Sequence, residues 1–255
     1  MKDLWLRLIP AIVFLAAWQL ASGWLISDFF FSNPVAIGHA FWAFLQDGAL
    51  LRAMGTTALE AGLGFLIGGA VGAVTGVLLA RSTVVDRMIS PYISLFFAIP
   101  KVALAPLFII WFGIGLEMKV ILAAVLVFFH VFLNTYTGVR NVSRELVAIF
   151  RLMGARESQL IRMVVVPSAF VWVFAGLRMS APYALIGAIV AEMIASNRGL
   201  GWLVQNSAAQ FNTAAVFAAL IGVVVLALLL TGAIRLLERA VMPWKQAEEQ
   251  REAGA

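Results

Sequence analysis

The sequence predicts an all-α membrane protein of about six spanning helices, with both ends of the chain on the cytoplasmic side. Three observations predict it. The 255 residues are 63% apolar and only 12% charged, against roughly half and a quarter in an average soluble domain. The apolar residues fall into runs long enough to cross a bilayer, which takes about 20 residues. Lys and Arg gather at alternate connections between those runs.

The runs lie at about 7–26, 57–80, 88–113, 118–139, 169–195 and 214–237. They leave no room for a soluble domain, so residues 1–255 read as one transmembrane unit. The first run follows Lys2 and Arg7 and continues to Ile26. A cleaved signal peptide has a shorter apolar core, about 7–15 residues, so this run reads as an uncleaved first helix. With the amino terminus inside, the cytoplasmic cations are Lys2, Arg7, Arg81, Arg87, Arg140, Arg144, Arg151, Arg156, Arg162, Arg235, Arg239, Lys245 and Arg251. The outer ones are Arg52, Lys119 and Arg198. This asymmetry sets the expected orientation. The polar tail 245–255 is expected to fray.

Two connections are long. In the outer one, 27–56, Ser32 or Asn33 can cap a helix with Pro34 in its first turn. Val35, Ile37, Phe41, Trp42, Phe44 and Leu45 make that helix amphipathic and interfacial. In the second run, Gly64, Gly68, Gly72 and Gly76 recur every fourth residue, on one helical face. Such a face admits a neighbouring backbone, as tight packing or as a moving interface.

The other long connection, 140–168, is the one extended polar stretch between runs. Ser143 can cap a helix from Arg144, with Leu146, Ile149, Phe150 and Met153 at helical spacing and arginines opposite. Gly154 breaks it, a second helix starts near Glu157, and Pro167 opens the next span. Such a helix pair can lie in acidic headgroups or dock a soluble partner.

Other classes are excluded or disfavoured. The net charge of +5 has no basic stripe interleaved with aromatics, which speaks against nucleic acid. There is no cysteine, so disulfides, thiolate zinc sites and cysteine nucleophiles are out. His39 and His130 lack metal-ligand spacing, and no G-x-S-x-G elbow occurs. A secondary transporter would carry coupling charges deep in several spans and no docking loop.

At 140–168 the chain resembles the binding-protein-dependent ABC importer permeases. Their loop signature reads EAA, three residues, Gly, nine residues, then Ile-x-Leu-Pro. Gly154 and the apolar-x-apolar-Pro ending Val164–Pro167 match it in spacing. The EAA positions hold Ala148, Ile149 and Phe150, and the nearest acid is Glu145. Ile99–Gly115, Ala191–Ile194 with Gly199–Val204, and Ser32–Pro34 resemble the nitrate/sulfonate/taurine branch in the same order. The likeness runs from about residue 30 to 240.

The resemblance implies a type I importer fold in a bacterial inner membrane. It implies a dimer with a second permease copy, two ABC ATPase subunits and an extracytoplasmic solute-binding protein. Glu145, Ala148, Ile149, Phe150, Met153, Gly154, Ala155 and Arg156 would then form the ATPase-coupling element. ATP and Mg would belong to the partner: the chain has no G-x-x-x-x-G-K-[ST] loop, and no Gly precedes a Lys. The solute would be small and, in this branch, anionic.

Charges inside spans normally face the bundle interior. Glu60, Lys101, Arg178 and Glu192 occupy such positions. Lys101 lies between Pro100 and Pro106, where backbone freed from helix bonds must face protein or water. It is expected to line the translocation path or to be paired structurally, with Glu192 as a candidate partner. Glu192 and Asn197 are expected to form an outer gate or to meet the binding protein. Arg178 is expected to snorkel. His130 and Asn134, one turn apart, suit an interhelical hydrogen bond, with a proton relay as the alternative.

Overall fold

The computed structural model describes residues 2–25, 27–80, 83–142 and 144–242. The expected cap Ser143, Arg81 and the polar tail lie outside them. Among the described residues every regular element is helical. In chain order these are α1 Lys2–Ala21, α2 Asp28–Phe31, α3 Pro34–Gln46, α4 Ala49–Ala80 and α5 Thr83–Ala98. A 3-10 turn Lys101–Leu104 leads to α6 Ala105–Phe112, α7 Leu116–Arg140, α8 Arg144–Leu152 and α9 Glu157–Leu160. A π-helical turn Ile161–Val165 leads to α10 Val166–Ala195, then α11 Leu200–Ala209 and α12 Thr213–Val241. The chain forms two compact units, one of residues up to Ala58 with Glu192–Leu226, the other of Leu59–Ala191 with the described residues from Ala227.

In the first unit, α3 starts as the sequence leads one to expect. The Asn33 carboxamide accepts the Ala36 amide at 2.8 Å, and Pro34 fills the first turn. Val35 and Trp42 remain exposed, as befits an interfacial helix. Trp18 of α1 meets Phe217 of α12 edge-on at 5.7 Å. The Thr213 hydroxyl donates to the Phe29 carbonyl at 2.6 Å.

The expected first span to Ile26 is corrected. Helix α1 stops at Ala21, and its described apolar part is only Leu8–Ala21. The cause is local. Ser22 hydrogen-bonds the Asp28 carboxylate and the Ser32 carbonyl, and Gly23 turns with φ +79°. Hydropathy continues past this point, but the helix does not.

In the second unit the glycine face packs on α7. A Cβ at Gly64 would meet Ala123 and Ala124, one at Gly68 the Ala124 carbonyl, one at Gly72 Phe128 and Val131, and one at Gly76 Thr135. The partners rise with the glycines, so α4 and α7 run parallel. Helix α10 runs the other way along α7, with Trp172 at Gly138, Gly176 at Val131 and Gly187 at Ala123.

Among the described residues, four helices have the length and composition to cross a membrane: Ala49–Ala80, Leu116–Arg140, Glu157–Ala195 and Thr213–Val241. A fifth candidate is the pair Asp86–Ala98 and Lys101–Phe112, bent by 79°. The parallel packing decides what this pair is. If α4 and α7 cross in the same direction, the chain joining them must return. The bent pair is therefore a broken crossing and not a hairpin that leaves by the side it entered. With the shorter apolar helix Leu8–Ala21, the described residues hold six apolar helical segments, in line with the about six that the sequence predicts.

The break falls at Pro100, which has no N–H to donate and pushes Ile99 out of the helical region. Pro106 sits in the first turn of α6, where the missing donor costs nothing. The second loop helix is also corrected. It does not end before Pro167; Glu157–Ala195 is one continuous helix. Pro167 cannot donate to the preceding turn, and the π turn at 161–165 is the local widening that accommodates it.

Candidate functional site

The 140–168 connection folds as an elbow. Helix α8 ends in a Schellman motif: the Ala155 amide donates to the Phe150 carbonyl at 3.0 Å and the Gly154 amide to that of Arg151 at 3.0 Å. Gly154 takes the left-handed conformation this requires, with φ +79°. Arg156 then caps α9. Its amide donates to the Gln159 side chain at 2.8 Å, and its carbonyl accepts the amides of Gln159 and Leu160 at 2.9 and 3.0 Å. Arg151 and Glu157 bridge the two arms at 3.6 Å.

The elbow presents apolar side chains outward. Ile149 is 50% exposed, Leu152 88% and Met153 79%. Glu145, Ala148, Gly154 and Arg156 are exposed too, while Phe150 and Ala155 are half-buried. The expected coupling residues thus come together on one short element. Leu152, absent from that expectation, is the most exposed of the element's described large apolar residues. A fixed turn carrying uncovered apolar side chains suits insertion into a groove of a partner.

The buried charges are each held. Lys119, expected outside, is 4% exposed and its Nζ lies 2.7 Å from Glu60 Oε1, itself on a 1% exposed residue. Glu60 Oε2 has no hydrogen-bond partner. Arg178, on the exposed side of α10, pairs with Glu238 of α12. Lys101 is 9% exposed. Its ammonium donates to the carbonyls of Phe97 and Ile99 at 3.0 and 3.2 Å, over the rings of Phe129 (4.5 Å) and Phe97 (4.9 Å). It satisfies carbonyls that α5 leaves unpaired at the break. His130 and Asn134 bond within their own helix, to the Leu126 and His130 carbonyls at 2.8 Å each. The interhelical bond is made instead by Tyr136, to Asp86 of α5.

Glu192 and Asn197 sit in different surroundings. Asn197 is exposed in the turn before α11, and Glu192 is fully buried. The Glu192 carboxylate accepts from the Thr57 hydroxyl at 2.7 Å and the Gly201 amide at 2.6 Å. Thr57 in turn accepts the Leu200 amide at 2.8 Å. Together they cap α11, whose amide dipoles favour an anion.

A model of the family described as binding-protein-dependent transport system inner membrane component matches residues 68–243. A Bacillus subtilis protein named as an aliphatic sulfonates transport permease is 32% identical over 96% of this chain and 90% of its own length. The formylaminopyrimidine transport permease of Halalkalibacterium halodurans is 32% identical over 97% and 100%. A chain of the MetNI methionine ABC transporter, solved in inward-facing conformations, has the same fold: TM-score 0.59, 20% identity, with 78% and 96% covered. The family match spans most of the chain, the relatives align over nearly all of it, and the broken crossing, parallel glycine pair and exposed elbow fill the matched region. The chain belongs to the family of inner membrane components of binding-protein-dependent transport systems.

Proposed function

We propose that this chain forms the pathway of an ATP-driven importer for a small anionic solute in a bacterial inner membrane, both termini lying in the cytoplasm. Two copies would pair, each docking one ABC ATPase, and an extracytoplasmic binding protein would deliver the solute. The elbow carries this reading. Its exposed Ile149, Leu152 and Met153 stand at the end of a turn fixed by Gly154. ATP and Mg would act in the partner, and motion of the elbow would turn the pathway from one side to the other. Residues 1–255 would work as one permease domain. Lys101, at the break in the third crossing, would border the path. The relatives' names support an anion in part: one names sulfonates, another a formylaminopyrimidine. Tagged chain pulled from its native membrane should bring a P-loop ATPase, identified by mass spectrometry. Chain recovered alone, transporting in liposomes without ATP, would overturn the proposal.

A further inference from the structure

The end of α7 that feeds the elbow also grips the start of the broken crossing. Tyr136 and Arg140 lie four residues apart, on one face of the last turn of α7. Both reach Asp86 in the first turn of α5: the Tyr136 hydroxyl donates to Oδ1, and Arg140 Nη2 lies 2.9 Å from Oδ2. One carboxylate therefore holds two side chains, one per oxygen. Further along α5, Ile93 packs against the cluster of Ala80, Phe132, Tyr136, Val139 and Ala169. Two points of contact about two turns apart fix the direction of α5 as well as its position. Beyond Arg140 only Asn141, Val142 and residue 143 separate α7 from α8.

We infer that Asp86 is a positioning residue that makes α5 follow the elbow-bearing end of α7, so that motion of the elbow is taken up at the Pro100 break. The inference rests on the proposed docking of an ATPase at the elbow. The mechanics follow from the contacts. An α-helix transmits displacement along its axis, and α5 has its clamp at one end and its break at the other. With the clamp intact, a tilt of the last turn of α7 carries α5 with it and changes the 79° bend. Without it, α5 is held near α7 chiefly by apolar contacts, which are non-directional.

The chain has no cysteine, so spin labels can be placed at will. Met88→Cys on α5 and Ile110→Cys on α6 label exposed positions on the two arms. The distance between them is measured in the full complex with its co-purified ATPase, before and after ATP with vanadate. The distance is expected to shift in the otherwise native chain and not to shift with Asp86→Asn, while the ATPase stays bound. The exchange Asp86→Arg with Arg140→Asp should restore the shift. Tyr136→Phe, which removes one hydroxyl, should reduce it by at least half and covers the case in which Asp86→Asn does not accumulate. A full shift in the Asp86→Asn or Tyr136→Phe chain, or no shift in the native one, overturns the inference and leaves the docking reading standing. Absence of any ATPase from the native preparation overturns both.

Discussion

Glu192, fully buried near the end of α10, accepts the Gly201 amide at 2.6 Å, so the carboxylate of one helix caps the next. Gly199 between them has φ +101°, and a Cβ there would collide with that carboxylate. This turn is built around the absence of a side chain at 199 and the presence of a carboxylate at 192.

Glu192→Ala strands the Gly201 amide and takes the carboxylate acceptor from the Thr57 hydroxyl. Hydrogen bonds to a charged group contribute about 1.5–3 kcal/mol each. A loss of roughly 3 kcal/mol is expected, read as a fall in the thermal midpoint of roughly 6–12 °C for a chain of this size. Glu192→Gln keeps one acceptor and should lose less. Differential scanning fluorimetry in detergent checks both. A midpoint unchanged in the alanine variant contradicts the capping role.

The glycine face makes a contrast within one helix. Gly68 would place a Cβ against the Ala124 carbonyl, whereas at Gly62 a Cβ meets nothing within 4 Å. Gly68→Ala should destabilise by about 1–3 kcal/mol through overpacking. Gly62→Ala should be neutral or stabilise by up to about 1 kcal/mol, from helix propensity alone. Equal effects of the two on unfolding in detergent would show that the α4–α7 contact is not close.

Lys119 and Glu60 form a pair whose worth lies in its completeness. Lys119→Met leaves a buried carboxylate uncompensated, at roughly 3–5 kcal/mol. The double change Lys119→Met with Glu60→Leu should recover most of this, since a buried ion pair is often no better than apolar packing. A double-mutant cycle measured by denaturation checks it; additive losses would mean that the two charges do not interact.

Much of this architecture is visible in residue spacing. The glycines at every fourth position, the Pro100 and Pro106 pair, Gly154 and the Asn33 cap act through local geometry, which sequence displays directly. What spacing hides is pairing across the fold. Lys119 stands three residues into α7, where a lysine ordinarily meets the interface, and only its contact with Glu60 reveals it as internal. Glu192 looks like a gate residue because it is a charge near the end of a span, and its partner Thr57 lies 135 residues away. The premature end of α1 comes from Ser22 reaching Asp28 and Ser32, against the pull of an apolar run that continues through Leu25.

At the elbow, Leu152 is 88% exposed, so Leu152→Glu should change folding stability by less than about 0.5 kcal/mol. The same change should remove the ATPase from the purified complex. Retention of the ATPase at native stoichiometry would show that it docks elsewhere.

A photo-crosslinker on a single cysteine at position 152, in membranes containing the whole transport system, reads out what the elbow touches. Docking at the elbow gives a crosslink to a P-loop ATPase, and its loss when the elbow is straightened by Gly154→Val. Crosslinks to lipid alone, with the ATPase present in the same membranes, would contradict it.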